Sequence, residues 1–118
     1  MEKAKLPPQS IESEENVLGA LMVKSTIIPN VAEILQPDMF YDPANAEIYA
    51  CILELFNTSR PVDIITVSEA LNSKNKLQLV GGRAKINSLA VNVVTATNAE
   101  YYAKIVAEKA SLRDLINA

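Results

Sequence analysis

The stretch from Leu6 to Met22, L-P-P-Q-S-I-E-S-E-E-N-V-L-G-A-L-M, decides how the rest of this chain is read. Pro7 and Pro8 stiffen its approach, and Ser10 stands at an N-cap position, its hydroxyl placed to accept from an orphan backbone N–H. Glu12, Glu14 and Glu15 crowd the first turns, where the positive end of the helix dipole favours negative charge; they read as solvated caps. Behind them Ile11, Leu18, Leu21 and Met22, with Val17 at the margin, share one face at helical spacing. Gly19 falls mid-helix, where glycine costs about 1 kcal/mol against alanine. It is explained if another backbone lies close against it. The stretch is the acidic, amphipathic first helix of a helical bundle.

Working outward, residues 1–9 read as an extended arm. Ser25 and Thr26 are placed to cap a second helix over Ile27–Leu35, with Pro29 tolerated in its opening turn. Gln36-Pro37-Asp38 breaks that helix, and Met39, Phe40 and Tyr41 form an apolar turn that plugs the core. Asp42-Pro43 is a strong start signal for a helix running to Asn57. Ile48, Ile52, Leu55 and Phe56 would fill its inner face beside Cys51, which makes it the expected central helix. Thr66 with Glu69 has capping-box spacing ahead of a short helix to Ser73 that buries Val67, Ala70 and Leu71. Gly81-Gly82 marks a turn before a helix to Ala90 with Ile86 and Leu89 inward. Val91–Ala96 is read as an extended connector, since one short strand without a partner is not a sheet. Thr97-Asn98-Ala99-Glu100 repeats the capping pattern and opens a last helix. Its apolar arc is Tyr101, Tyr102, Ile105, Val106, Leu112, Leu115 and Ile116, with Lys109 inside it and Arg113 beside it. The fold expected is all-α, a compact bundle of about five or six helices.

Composition agrees and excludes much. With 118 residues, 49% apolar and 21% charged, this is an ordinary single globular domain. Three glycines and 5% aromatics disfavour a sheet-rich sandwich. The absence of histidine and the single Cys51 exclude a histidine triad, an internal disulfide and a cysteine-histidine zinc cage. Cys51 itself reads as a buried structural thiol. Gly81-Gly82-Arg83 lacks the further glycines and the Lys-Ser/Thr ending of a nucleotide loop. Asp63 and Glu69 are no acid–base dyad where capping explains Glu69. No catalytic constellation survives, so the segment is not expected to be an enzyme and no cofactor is expected in it. No stretch approaches the roughly 18 apolar residues of a membrane span, and the start resembles no signal peptide; a cytoplasmic, reducing setting follows as the expectation. Net charge is −3, yet no acidic residue lies between Glu69 and Glu100, where Lys74, Lys76, Arg83 and Lys85 form a local basic island. It reads as a patch able to meet phosphates or an acidic partner, or as solvated surface lysines.

Several blocks, in order and spacing, resemble the N-terminal domain of the bacterial replicative DNA helicases of the DnaB family. They are Pro7-Pro8, Ile11–Glu14, Val17–Met22, Asp38–Tyr41, Ile48-Tyr49, Pro61–Val67, Leu71, Val80–Gly82 and Asn98–Val106. Ser13, Asn45 and Ala46 depart from the family's habit and read as surface or packing variants. The resemblance implies an arm over 1–9, a globular part over 10–96 and, from 97 to 118, the first arm of a helical hairpin through which copies pair. It further implies homo-oligomerisation within a hexameric ring, binding of a DnaG-type primase, and DNA contact through the full-length protein. ATP and magnesium would belong to a motor domain beyond this sequence. Tyr101, Tyr102, Ile105, Val106, Leu112, Leu115 and Ile116 would then be the self-association face. The alternative reading is a free-standing helix-turn-helix DNA-binding protein using the basic island, against which the acidic pI of about 4.9 weighs.

Overall fold

The helix that the others surround is α1 (Ile11–Val23). The structure, a computed structural model, describes residues 6–93 and 95–117. The first five residues of the expected arm, Val94 of the expected connector and the terminal Ala118 lie outside the described residues. After α1 come α2 (Ile28–Ala32), α3 (Pro43–Asn57), α4 (Ile64–Ser73), α5 (Gly82–Val91) and α6 (Ala99–Asn117). Tight 3-10 turns occupy Ser25–Ile27, Pro37–Met39 and Ala96–Asn98. The fold is all-α: among the described residues there is no strand.

Ser10 caps α1 as expected, its hydroxyl accepting from the Ser13 N–H at 3.3 Å. Val17 to Met22 are then buried without interruption. A helix packed along one stripe cannot bury a run that long, because consecutive residues point about 100° apart. The cause is that α6, α5 and α3 all pack on α1, so α1 and not α3 is the central helix. Gly19 is where α1 meets α5: a Cβ there would run into the Leu89 carbonyl. Close backbone approach, the reason expected from the sequence, is the reason found.

Asp42 caps α3 from its own side chain, accepting from the Ala44 N–H at 2.8 Å, with Pro43 in the first turn. Ile48, Tyr49, Cys51, Ile52 and Leu55 face inward. Phe56 does not: it is 39% exposed, since one step past Leu55 rotates it off the packed face. Phe40 plugs the core, its ring centre 4.9 Å from that of Tyr49. The Tyr49 hydroxyl donates to the Leu35 carbonyl at 3.0 Å, and burial pushes the phenol's pKa up to about 12. Burial likewise pushes the Cys51 thiol up, as befits a structural cysteine.

Three start signals land differently from the sequence reading. The α4 capping box is formed by Asp63 with Thr66: Asp63 accepts from the Thr66 N–H at 2.8 Å, and Thr66 accepts from the Asp63 N–H at 2.9 Å. An aspartate ahead of Ile64 lets the helix start one turn earlier than Thr66 would, and Glu69 is released to the surface. Thr95, not Thr97, caps the turn leading into α6, accepting from the Thr97 N–H at 3.2 Å. The expected second helix shortens to a 3-10 turn and α2, neither with a side-chain cap, although Leu35 still reaches the core. Helices α3 and α4 close alike: Ser59 and Asn75 adopt left-handed φ values of 60° and 59°, and the next N–H turns back to Leu55 and Leu71.

Candidate protein interface and the basic residues

Helix α6 carries apolar side chains on two opposite sides. Ala99, Ala103, Val106 and Ala110 recur at helical spacing and are buried, mainly on α1. Their small size lets the two helices approach closely. At about 100° per residue, Tyr101, Ile105, Leu112, Leu115 and Ile116 fall on the reverse. Of these, Tyr101, Leu115 and Ile116 are 66%, 73% and 68% exposed and Leu112 is 40% exposed; Ile105 is half-buried. Two members of the expected face belong elsewhere. Val106 is 1% exposed and lies in the core, and Tyr102 packs half-buried against the core's edge. The apolar arc read from sequence was two faces merged into one, because a hydrophobic tally does not distinguish the side that meets α1.

The basic island is not a free cationic patch. Lys74 pairs with Glu54, Lys76 with Glu47 at 3.0 Å, Arg83 with Glu69 at 3.0 Å and Lys85 with Glu15 at 2.6 Å. All four carboxylates lie outside the acid-free stretch of sequence, on helices α1, α3 and α4, and folding brings them back across it. The Lys74 hydrogen bond and charge hold the Glu54 carboxyl below the usual carboxylate range, and Glu54 in turn holds the Lys74 ammonium up. The Glu54 contribution is therefore lost as pH falls through its lowered pKa, and that of Lys74 as pH rises through its raised one. Both groups are exposed, so solvent and salt keep the pair weak.

Sequence reading missed a built polar joint. Glu14, expected in solvent, is 1% exposed. Its carboxylate accepts from the Tyr41 N–H at 2.6 Å, the Asp42 N–H at 3.3 Å and the Asn45 side chain at 3.1 Å. It thus satisfies donors at the entry to α3 from another helix, and its charge meets the positive end of the α3 dipole. Asn45 is fully buried, so of the two readings, surface or packing, it is a packing residue. From α6, Arg113 donates to the Met39 carbonyl of the same connector and to the Pro8 carbonyl ahead of α1, each at 2.8 Å. A signal for both was present: Glu14 is spaced with Val17, Leu18 and Leu21, and Arg113 with Val106 and Ala110, along the inward stripes.

Among the described residues, no group of three or more His, Cys, Asp or Glu is placed to hold a metal ion. No helix among them is long and apolar enough to cross a membrane. Surface clefts are open; one of about 400 Å³ is lined by Met22, Val23, Asp63, Ile64, Ile65 and Ala90.

Fold and surface together define an all-helical domain built on a buried central helix, with a last helix that leaves Tyr101, Leu112, Leu115 and Ile116 exposed on the side away from the core. A family model described as the DnaB-like helicase N terminal domain matches residues 6–108, and the chain belongs to that family. It is 44% identical over 112 residues to the replicative DNA helicase DnaC of Bacillus subtilis, covering 95% of this chain and 25% of that protein. It is 42% identical over 112 residues to the replicative DNA helicase DnaB of Geobacillus stearothermophilus, again covering 95% of this chain and 25% of that one. The crystal structure of the N-terminal domain of DnaB helicase from Mycobacterium tuberculosis superposes with a TM-score of 0.92 at 41% identity, covering 95% of this chain and 81% of that one. The chain thus spans about a quarter of the length of these two helicases.

Proposed function

We propose that this domain is an association module of an ATP-dependent replicative DNA helicase, joining copies of itself and docking a DnaG-type primase in the cytoplasm. Tyr101, Leu112, Leu115 and Ile116 on the outer side of α6 carry the reading. Burying an exposed leucine stabilises a contact by about 1.5–3 kcal/mol, and a symmetric pair of copies would bury each twice. The work of the module is mechanical: it fixes subunits in a ring through which DNA passes. ATP and magnesium serve the motor, and no residue here is asked to hold them. The pairing of Lys74, Lys76, Arg83 and Lys85 with carboxylates speaks against the alternative of a DNA-reading regulator, which needs unpaired cations on one helix.

Sedimentation of the chain over a wide concentration range tests the reading. The wild type should self-associate, and the double variant Leu112→Asp, Leu115→Asp should weaken association at least tenfold, about 1.4 kcal/mol or more, with an unchanged thermal melt at a concentration where both are monomeric. A wild type monomeric at all concentrations, or a variant with the same distribution of species, would overturn it.

A further inference from the structure

Arg113 continues the buried stripe of α6 past Ala110, yet its guanidinium ends on backbone and not in the core. One terminal nitrogen donates to the Pro8 carbonyl and the other to the Met39 carbonyl, both at 2.8 Å. The guanidinium carbon stands 5.4 Å from the ring centre of Tyr41. Beyond it Asp114, Leu115, Ile116 and Asn117 are all exposed. Arg113 is therefore the last point at which the side chains of α6 are held to the body. The connector it grips is also held by Glu14, which accepts from the Tyr41 and Asp42 N–H groups. A guanidinium fork meets two carbonyls in fixed geometry while stacking on an aromatic ring; an ammonium cannot do all three.

We infer that Arg113 is the positioning residue for the outer face of α6. It latches the helix to the connector and to the segment around Pro8, so displacing that segment loosens the end that presents Leu112, Leu115 and Ile116. Coupling of this kind is reciprocal: engaging the outer face of α6 makes the Pro8 segment harder to displace. In that consequence the inference rests on the proposed self-association; the latch itself does not.

Hydrogen exchange of the whole chain, at a concentration where it sediments as monomer, tests the latch. Arg113→Gln should speed exchange of the 108–114 amides roughly tenfold and leave those of α1 and α3 unchanged. Arg113→Lys, which keeps the charge and loses the fork, should give about threefold. Removing residues 1–8 should speed the same amides severalfold in the wild type and add nothing in the Arg113→Gln background. Unchanged α6 exchange in Arg113→Gln overturns the latch. So does equal acceleration throughout α1, α3 and α6, or a truncation effect that persists in full without the arginine. If the latch holds but Arg113→Gln associates as the wild type does, the positioning role falls and self-association stands. Loss of association in the Leu112→Asp, Leu115→Asp variant, with wild-type exchange at 108–110, is the result expected if latch and contact are separate parts.

Discussion

Glu14 and Gly19 sit little more than a turn apart on α1, and each is fixed by a segment distant in sequence. A buried carboxylate is costly unless donors surround it. Here the connector supplies two backbone N–H groups and Asn45 an amide. Gly19 has the opposite requirement, the absence of an atom, because the Leu89 carbonyl occupies the place of a Cβ. Gly19→Ala should therefore destabilise the domain by about 1–3 kcal/mol, although alanine is the better helix former by about 1 kcal/mol. The check is the urea midpoint: a variant as stable as the wild type would mean that α5 yields freely. The glycine was legible as a close approach, though not its partner. Glu14 was misread because glutamates near a helix start are usually solvated, and its place on the inward stripe was the only contrary sign.

Among the elements, α4 shows how a start signal is decided by competition. Both Asp63 and Thr66 have capping chemistry, and the earlier residue wins: its reciprocal box with Thr66 outweighs the small β-branched cost of Ile64 and Ile65 in the first turn. Asp63→Ala should cost about 1 kcal/mol in urea unfolding. Thr66→Ala should cost a similar amount, and the double variant little more than either, since each removes part of one reciprocal box. Glu69→Ala should fall within about 0.5 kcal/mol of wild type, for its partner Arg83 is an exposed ion pair. A larger loss at Glu69 than at Asp63 would restore the sequence-based assignment of the cap. Helix α6 teaches the complementary lesson. Its pattern announced an apolar helix, but only packing on α1 separated Val106 from Leu112.

For the whole molecule, the enclosed α1 and the ring pair of Phe40 and Tyr49 make alkaline pH a probe of the core. The Tyr49 phenol titrates near 12 folded against its ordinary value of 10.0. The folded state therefore keeps a proton that the unfolded chain has lost, and stability present below pH 10 falls as pH rises toward 12. The loss is on the order of 2–3 kcal/mol across that interval. Lys74, held up by Glu54, loses its smaller contribution in the same direction. Urea unfolding at pH 9 and pH 11 should show the fall, and Tyr49→Phe should remove most of it. An equally steep fall in that variant would assign the effect to the other groups held up in the folded state, Lys74 and the buried Cys51 thiol.

By itself the sequence determined the helical class, the caps at Ser10 and Asp42, the close approach at Gly19 and the blocks that mark the family. These follow from local chemistry: period, capping oxygens, proline and glycine geometry are written within a few residues of where they act. The tertiary structure alone decided which helix is central, which side of α6 faces out, and that Lys74, Lys76, Arg83 and Lys85 each meet a carboxylate. It also brought Glu14 and Arg113 to one connector. Each of these depends on groups tens of residues apart, and a one-dimensional pattern does not record which of two apolar sides meets a neighbour, or which carboxylate folds back onto a lysine.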